Sequence, residues 1–194
     1  MTSSERSELR RSHRRARREL PDDERAVLDE AARVRLLELL GDRPPGVVAL
    51  SLPTDGEVDV AALAPTLRSS GWTVVLPVVD PHDPGHMRFC RWDDGTPMRP
   101  NRFGILEPDG SDPVEPDSIT VVVVPAVAVD RSGVRLGFGG GFYDRALDRR
   151  DAGTLLVAVV HDVQVADSLP VGPHDVGVDV VVTPSTTFRP DDDA

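Results

Sequence analysis

VVVVPAVAVDRSGVRLGFGGGFYDRALDR, residues 121–149, decides how the rest of this chain reads. It opens with an apolar run over 121–129, interrupted at Pro125. Arg131, Ser132 and Gly133 form a turn, Arg135 follows, and glycines stand at Gly137, Gly139, Gly140 and Gly141. A helix then starts with Phe142, Tyr143, Asp144 and Leu147. Strand, glycine loop and helix start, in that order, suit a phosphate. Glycines let backbone N–H groups approach an anion closely, and a helix N-terminus adds partial positive charge. Arg135 adds a fixed cation to that nest. Four glycines in five residues also suit a flexible turn. An arginine before them, and an aromatic pair and an aspartate after them, have little use in a plain turn, so a phosphate site is the stronger reading.

The remainder of the chain bounds what such a site can serve. The 194 residues, 39% of them hydrophobic, suffice for one domain with a substantial core and would be cramped as two. No apolar run approaches the roughly 18 residues of a membrane span. The arginine-rich start lacks the apolar stretch of a secretory signal. Cys90 is the single cysteine, which excludes an internal disulfide framework and a cysteine zinc cluster and suits a reducing cytoplasm. It reads as a buried strand residue rather than a nucleophile. The 22 basic residues are all arginine, so Schiff-base chemistry and the lysine of a Walker loop are excluded. A net charge of −11 argues against nucleic acid as a partner, because neutralising phosphates needs a basic surface.

In chain order, residues 4–20 form the one basic segment. Leu9, His13, Ala16 and Leu20 make a narrow stripe at helical spacing, while Arg6, Arg10, Arg14 and Arg17 share another face. That arginine face reads mostly as solvated, with one or two members able to reach a polyphosphate. A second helix starts at Pro21-Asp22-Asp23-Glu24, with a carboxylate available as cap, and stops at Gly41. Its expected core positions are Val27, Leu28, Ala31, Val34, Leu37 and Leu40. A strand over 47–52, a helix over 60–70 and a strand over 73–79 predict a parallel pair with a crossover helix. Ligands of such sheets sit at the carboxyl ends of the strands, and Glu57 lies just beyond one. A strand over 87–92, a Pro/Gly/Asp-rich stretch over 93–116, and strands over 154–160 and 180–183 complete the pattern. Between the last two, 161–168 reads as a polar, partly helical connection. His82 and His86 have no partner at metal-ligand spacing. The tail over 189–194 reads as frayed and acidic.

The segment R-L-G-F-G-G-G-F-Y-D at 135–144, behind V-P-A-V-A-V-D at 124–130, closely resembles the signature of 5-formyltetrahydrofolate cyclo-ligases (methenyltetrahydrofolate synthetases). Residues along most of the chain extend the resemblance. Arg6 and Arg10 match a K-x-x-x-R pattern that contacts ATP, with arginine replacing lysine. Glu57 matches the glutamate that holds the folate, and Leu52 a position lining the folate site. Phe103, before Gly104-Ile105-Leu106-Glu107-Pro108, is the candidate for stacking on the folate rings. Asp175 matches an aspartate that supports the metal, whereas Asp179 reads as a structural residue at a strand start. The usual Tyr-Tyr-Asp is Phe142-Tyr143-Asp144 here, so one hydroxyl is missing.

What the resemblance implies is an α/β fold: a single three-layer α/β/α domain over 1–194 with a mostly parallel central sheet of the NagB/RpiA-like kind, the basic helix over 1–20 packed on it. It also implies ATP- and Mg²⁺-dependent cyclisation of 5-formyltetrahydrofolate, with or without a polyglutamate tail, in a cytoplasmic monomer. ATP is assigned to Arg6, Arg10, Arg135, Gly137, Gly139, Gly140, Gly141, Phe142 and Tyr143, and Mg²⁺ to Asp144 and Asp175. The folate is assigned to Leu52, Glu57, Phe103, Phe138, Phe142 and Tyr143, and catalysis to Arg135 and Tyr143. Two other classes fit the same residues. One is a sugar-phosphate isomerase that needs no ATP, and the other is a folate- or nucleotide-binding module without turnover.

Overall fold

The computed structural model describes residues 3–80, 82–83, 85–148 and 150–190. Two helices come first, α1 (Ser3–Arg18) and α2 (Asp22–Gly41). Strand β1 (Val47–Ala49) leads through a 3-10 turn (Val60–Leu63) into α3 (Ala64–Ser69) and β2 (Thr73–Val79). Then come β3 (Met87–Arg91), β4 (Met98–Pro100), β5 (Leu106–Pro108) and β6 (Pro113–Val114). The central stretch supplies β7 (Val121–Val123), β8 (Ala128–Asp130), β9 (Arg135–Leu136) and α4 (Phe142–Ala146). The chain ends with β10 (Leu155–Val159), β11 (Val165–Ala166), β12 (Val180–Val182) and β13 (Thr187–Phe188).

Eight strands form one sheet in the order β13-β12-β10-β7-β1-β2-β3-β6. The five in the middle run parallel, and β13, β3 and β6 pair antiparallel at the two edges. The pleat divides the parallel strands cleanly between two cores. Val48, Val74, Val121 and Leu155 lie in register and face α2 and α3. Their neighbours Ala49, Val75, Val122 and Leu156 face the opposite side. Burial on both faces is why these strands are unbroken runs of valine and leucine.

The two faces are covered differently. One carries the helical layer, whereas the other is covered by the single short helix α4 and by a three-stranded sheet, β11-β8-β9. The expected helical third layer is thus replaced mostly by strands, created where Pro125 ends β7 and the chain turns away from the main sheet.

Helix α2 has the expected span but buries Ala32, Leu36 and Leu40, while Val27 and Val34 are exposed. No side chain caps it: Pro21 is the N-cap, and the first-turn acids favour the helix dipole, with Asp22 also 3.1 Å from Arg25. The expected strand over 47–52 is hydrogen-bonded only at Val47–Ala49, and the crossover helix starts as a 3-10 turn. Cys90 is buried in β3, and that burial pushes its thiol pKa up. Asp179 accepts the Leu156 N–H at 2.7 Å, a structural bond at the start of β12. Of the expected frayed tail, residues 191–194 lie outside the described residues. Among the described residues no helix is long and apolar enough to cross a membrane.

The chain runs from β1 to β2 on one side and returns to β7 on the other, so strand order reverses between β1 and β7. Loops leaving neighbouring strands in opposite directions leave a crevice at their carboxyl ends. Residues 51–57 follow β1 and Pro125 follows β7, and both border the crevice.

Candidate active site

The crevice is a cavity of about 720 Å³, within the range of small-molecule sites. Every candidate residue borders it: Arg6, Arg10, Leu52, Glu57, Phe103, Arg135, Gly137, Phe138, Gly139, Gly140, Gly141, Phe142, Tyr143, Asp144 and Asp175. They come from α1, from the loops after β1 and β5's approach, from the glycine loop with α4, and from the loop before β12.

The glycine loop forms one wall. Gly139 and Gly141 have φ of 100° and 65°, a left-handed backbone that other residues resist. The N–H groups of Phe138, Gly139, Gly140 and Gly141 donate to no acceptor among the described residues. Four amides left open at the start of a helix make an anion nest. Helix α1 is pinned to this loop, since Arg10 Nε donates to the Gly137 carbonyl at 2.8 Å. Burial, followed by the charge of Arg6, lowers the Arg10 pKa, while Asp175 opposes that shift.

Arg135 is 5% exposed and lies beneath the loop. Its Nη2 donates to Asp144 Oδ1 at 2.5 Å and its Nη1 to the Pro125 carbonyl at 3.4 Å. Asp144 Oδ1 also accepts the Val176 N–H at 3.2 Å. Asp175 Oδ2 accepts from Arg6 Nη2 and from the Gly172 N–H, each at 2.7 Å. Each carboxylate spends one oxygen on these bonds and leaves the other without a donor among the described residues. No cluster of three or more His, Cys, Asp or Glu occurs among the described residues. Two hard oxygen donors facing an anion nest fit Mg²⁺, which keeps several waters and takes phosphate oxygens to complete its shell.

The opposite end of the cavity is built on the turn at 54–57. Asp55 (φ 56°) and Gly56 (φ 79°) are both left-handed, and the Glu57 N–H returns to the Thr54 carbonyl at 3.1 Å. Asp-Gly at the centre of a turn tolerates that conformation. Glu57 Oε2 accepts both the N–H and the hydroxyl of Thr54 at 3.0 Å. Glu57 Oε1 and the Tyr143 hydroxyl are buried without a hydrogen-bond partner among the described residues. Burial pushes the Glu57 carboxyl above its ordinary range, against the Thr54 bonds and the Arg17 charge. Burial, and next the Glu57 charge, pushes the Tyr143 phenol well above its usual pKa, so it stands as a neutral donor.

Aromatic rings line the sides. Phe103 is 56% exposed. Its ring packs edge-on against Phe142, with centroids 5.9 Å apart. Arg102 lies over both rings. The Phe138 ring carries Arg14 and Arg17 at 5.7 and 5.8 Å. Tyr143 packs against Phe89 of β3. Leu52 both lines the cavity and packs on the core.

The arginine face of α1 is the inward one, contrary to the expected solvated face. Arg6, Arg10 and Arg14 border the cavity, and Arg17 is fully buried. Arg17 donates to the Asp55 carbonyl at 2.9 Å and to its Oδ2 at 3.0 Å, while Arg14 and Arg18 also bind Asp55. Burial would raise the Asp55 carboxyl, but hydrogen bonds from Arg14 and Arg18 and the charges of Arg14 and Arg17 hold it below its usual range. Arg14, Arg17 and Asp55 are the residues that sequence reasoning missed. The Asp-Gly turn was their one visible signal.

Known proteins resemble the chain along nearly all of its length. The 5-formyltetrahydrofolate cyclo-ligase family matches residues 2–184. A 5-formyltetrahydrofolate cyclo-ligase of Escherichia coli (strain K12) is 36% identical over 183 residues, 91% of this chain and 98% of that protein. One from Mycolicibacterium smegmatis is 36% identical over 190 residues, 95% and 96% of the two chains. The NMR structure of Aquifex aeolicus 5,10-methenyltetrahydrofolate synthetase superposes with a TM-score of 0.85 at 34% identity, covering 97% of this chain and 94% of that one. The chain therefore belongs to the 5-formyltetrahydrofolate cyclo-ligase family.

Proposed function

We propose that the protein closes 5-formyltetrahydrofolate to 5,10-methenyltetrahydrofolate at the expense of ATP, releasing ADP and phosphate. The observation that carries the proposal is the pairing, in one cavity, of four open loop amides with the unpartnered Glu57 Oε1 and Tyr143 hydroxyl. Buried polar groups without partners are costly and rare, and a ligand that supplies those partners accounts for both ends at once.

The chemistry follows from these residues. A formamide oxygen is a poor leaving group, so the γ-phosphoryl is transferred to it. N10 then adds to the formyl carbon, and the C–O bond breaks as phosphate departs with the N10 proton. This route needs positioning and charge neutralisation rather than a protein nucleophile, which suits a lysine-free chain with an inert, buried Cys90. The amides of the glycine loop hold the transferring group, with Arg135, Arg10 and Arg6 on the phosphates. Asp144 and Asp175 would hold Mg²⁺, which supplies charge neutralisation between phosphate oxygens. Glu57 accepts N–H donors at the pterin end, and Leu52, Phe103, Phe138 and Phe142 flank the rings. Tyr143 donates its hydroxyl near the reacting formyl group.

The same proposal takes the enzyme as a cytoplasmic monomer of NagB/RpiA-like architecture. Its test is the near-ultraviolet absorbance rise of methenyltetrahydrofolate on mixing protein, 5-formyltetrahydrofolate, Mg²⁺ and ATP. A rise that requires ATP and is abolished by EDTA supports it. Absence of a rise under these conditions rejects it.

A further inference from the structure

Arg17 is a fully buried arginine with a hydrogen bond left unmade. Its Nε and Nη2 are fixed by the Asp55 carbonyl and Oδ2, at 2.9 and 3.0 Å. Among the described residues its Nη1 has no hydrogen-bond partner; it lies 3.8 Å from Glu57 Oε1, which has none either. A pair built only for stability would close this gap, because an unmade hydrogen bond at a buried charge is costly. Glu57 lines the cavity and Arg17 does not, so the cation stands behind the carboxylate.

Asp55 holds a left-handed backbone that non-glycine residues adopt uncommonly, and among the described non-glycine residues it alone does so. Its carboxylate collects Arg14, Arg17 and Arg18, tying the C-terminal end of α1 to the turn that carries Glu57. Helix and turn are therefore tied together.

We infer that Arg17 and Asp55 are positioning residues for the folate: Asp55 fixes the Arg17 guanidinium behind Glu57, and this fixed cation holds the Glu57 carboxylate in place as the acceptor for the substrate. The inference rests on the cyclo-ligase reading, which supplies the ligand. The groups facing Glu57 are Thr54 and Asp55 from its own turn, Arg17 from α1 and Tyr143 from α4. Arg17 is the one cation among them. It opposes the burial that favours the protonated acid, so losing it makes Glu57 titrate at higher pH.

The experiment is a double-mutant cycle on binding of 5-formyltetrahydrofolate, measured by calorimetry without ATP, with turnover followed in parallel. Arg17→Met is expected to weaken folate binding about tenfold and Glu57→Gln at least as much, with the double variant within about twofold of Glu57→Gln alone. In Arg17→Met the acid limb of folate binding moves to higher pH, while the KM for ATP changes less than about threefold, since Arg14 still covers Phe138. If Arg17→Met does not fold, Asp55→Asn, which keeps volume and loses charge, is put through the same cycle, with a loss of about threefold expected. Additive losses, an unmoved acid limb, or equal weakening of ATP overturn the inference. Wild-type protein that binds folate without turning it over rejects the cyclo-ligase reading and leaves the cycle to decide this one. No folate binding by wild-type protein rejects both.

Discussion

Arg6 Nη2 donates to Asp175 Oδ2 over 2.7 Å, joining the first helix to a loop 169 positions further along the chain. The bond closes α1 across the glycine-loop end of the cavity and pairs the charge of one lining carboxylate. It also commits only one of the two Asp175 oxygens.

If the other oxygen serves Mg²⁺, Asp175→Asn weakens the metal without dismantling the wall. The Mg²⁺ concentration giving half-maximal turnover is expected to rise about tenfold, equivalent to about 1.4 kcal/mol. Thermal stability should fall only slightly, because the ion pair is partly exposed and such pairs contribute little. A Mg²⁺ titration at fixed ATP measures the effect, and an unmoved midpoint removes Asp175 from the metal site.

Arg135 gives a sharper contrast between charge and shape. Its fork bonds Asp144 on one arm and the Pro125 carbonyl on the other, a geometry an ammonium group does not reproduce. Arg135→Lys is expected to stay folded and lose about a hundredfold in kcat/KM, in line with loss of a preorganised charge contact. Arg135→Met should also lose about 3 kcal/mol of folding stability by stranding Asp144. Steady-state kinetics with urea unfolding separates the two. Wild-type turnover in Arg135→Lys would exclude a geometric role.

These positions were legible because their chemistry is unusual for their surroundings: glycines beside a lone arginine, and a glutamate after a strand. The strands β2, β7 and β10 were legible for a related reason, since burial on both faces demands uninterrupted apolar runs. The phase of α2 was not. Its sequence around Val34, Leu36, Leu37, Leu39 and Leu40 is apolar on more than one face, and packing into the core beneath the sheet selects Ala32, Leu36 and Leu40. Sheet β11-β8-β9 was invisible because strands of two or three residues carry no periodicity. The burial of Arg17 depends on Asp55, 38 positions away, and no local pattern encodes that meeting.

Glu57 makes a pH prediction with a definite sign. Burial raises its folded pKa, so the protonated acid is favoured up to a higher pH than in an ordinary glutamate. Folding stability from this group is present below the unfolded pKa and is lost as pH rises through the folded one. Folate binding, which needs the carboxylate, runs the other way. The folate KM is expected to climb as pH falls through the raised pKa, above the normal carboxylate range. Glu57→Gln should abolish that limb and leave a flat, weaker KM. A limb that persists in Glu57→Gln assigns the titration to another group.

His161 and Asp29 make a stability prediction away from the cavity. His161 is fully buried, its Nε2 is 2.8 Å from Asp29 Oδ1, and the bond ties α2 to the end of β10. His161→Ala removes the ring and the bond together, at a cost of about 3 kcal/mol. Asp29→Asn keeps a polar partner and should cost about 1 kcal/mol. Urea unfolding measures both; no loss in Asp29→Asn would show that ring packing alone matters, and equal losses that the bond carries the whole effect.

Two glycine substitutions test whether the loop is built for its ligand or for the fold. Gly133 (φ 77°) and Gly139 (φ 100°) are both left-handed, so alanine is strained at each by about 1–3 kcal/mol if the backbone holds. Their surroundings differ. A Cβ on Gly133 would stand 2.6 Å from the Val178 carbonyl and from Pro190 Cγ, inside packed structure that cannot give. On Gly139 the nearest atom is Arg10 Cζ at 3.4 Å, and the residue is exposed. The loop there can relieve strain by swinging its amides out of line, which preserves stability and spoils the nest. Gly139→Ala is therefore expected to lose about a hundredfold in turnover and only a few degrees in melting temperature. Gly133→Ala should lose far more melting temperature, with turnover per folded molecule much less affected. If Gly139→Ala unfolds as readily as Gly133→Ala, the loop is a structural element and its open amides are not held for phosphate.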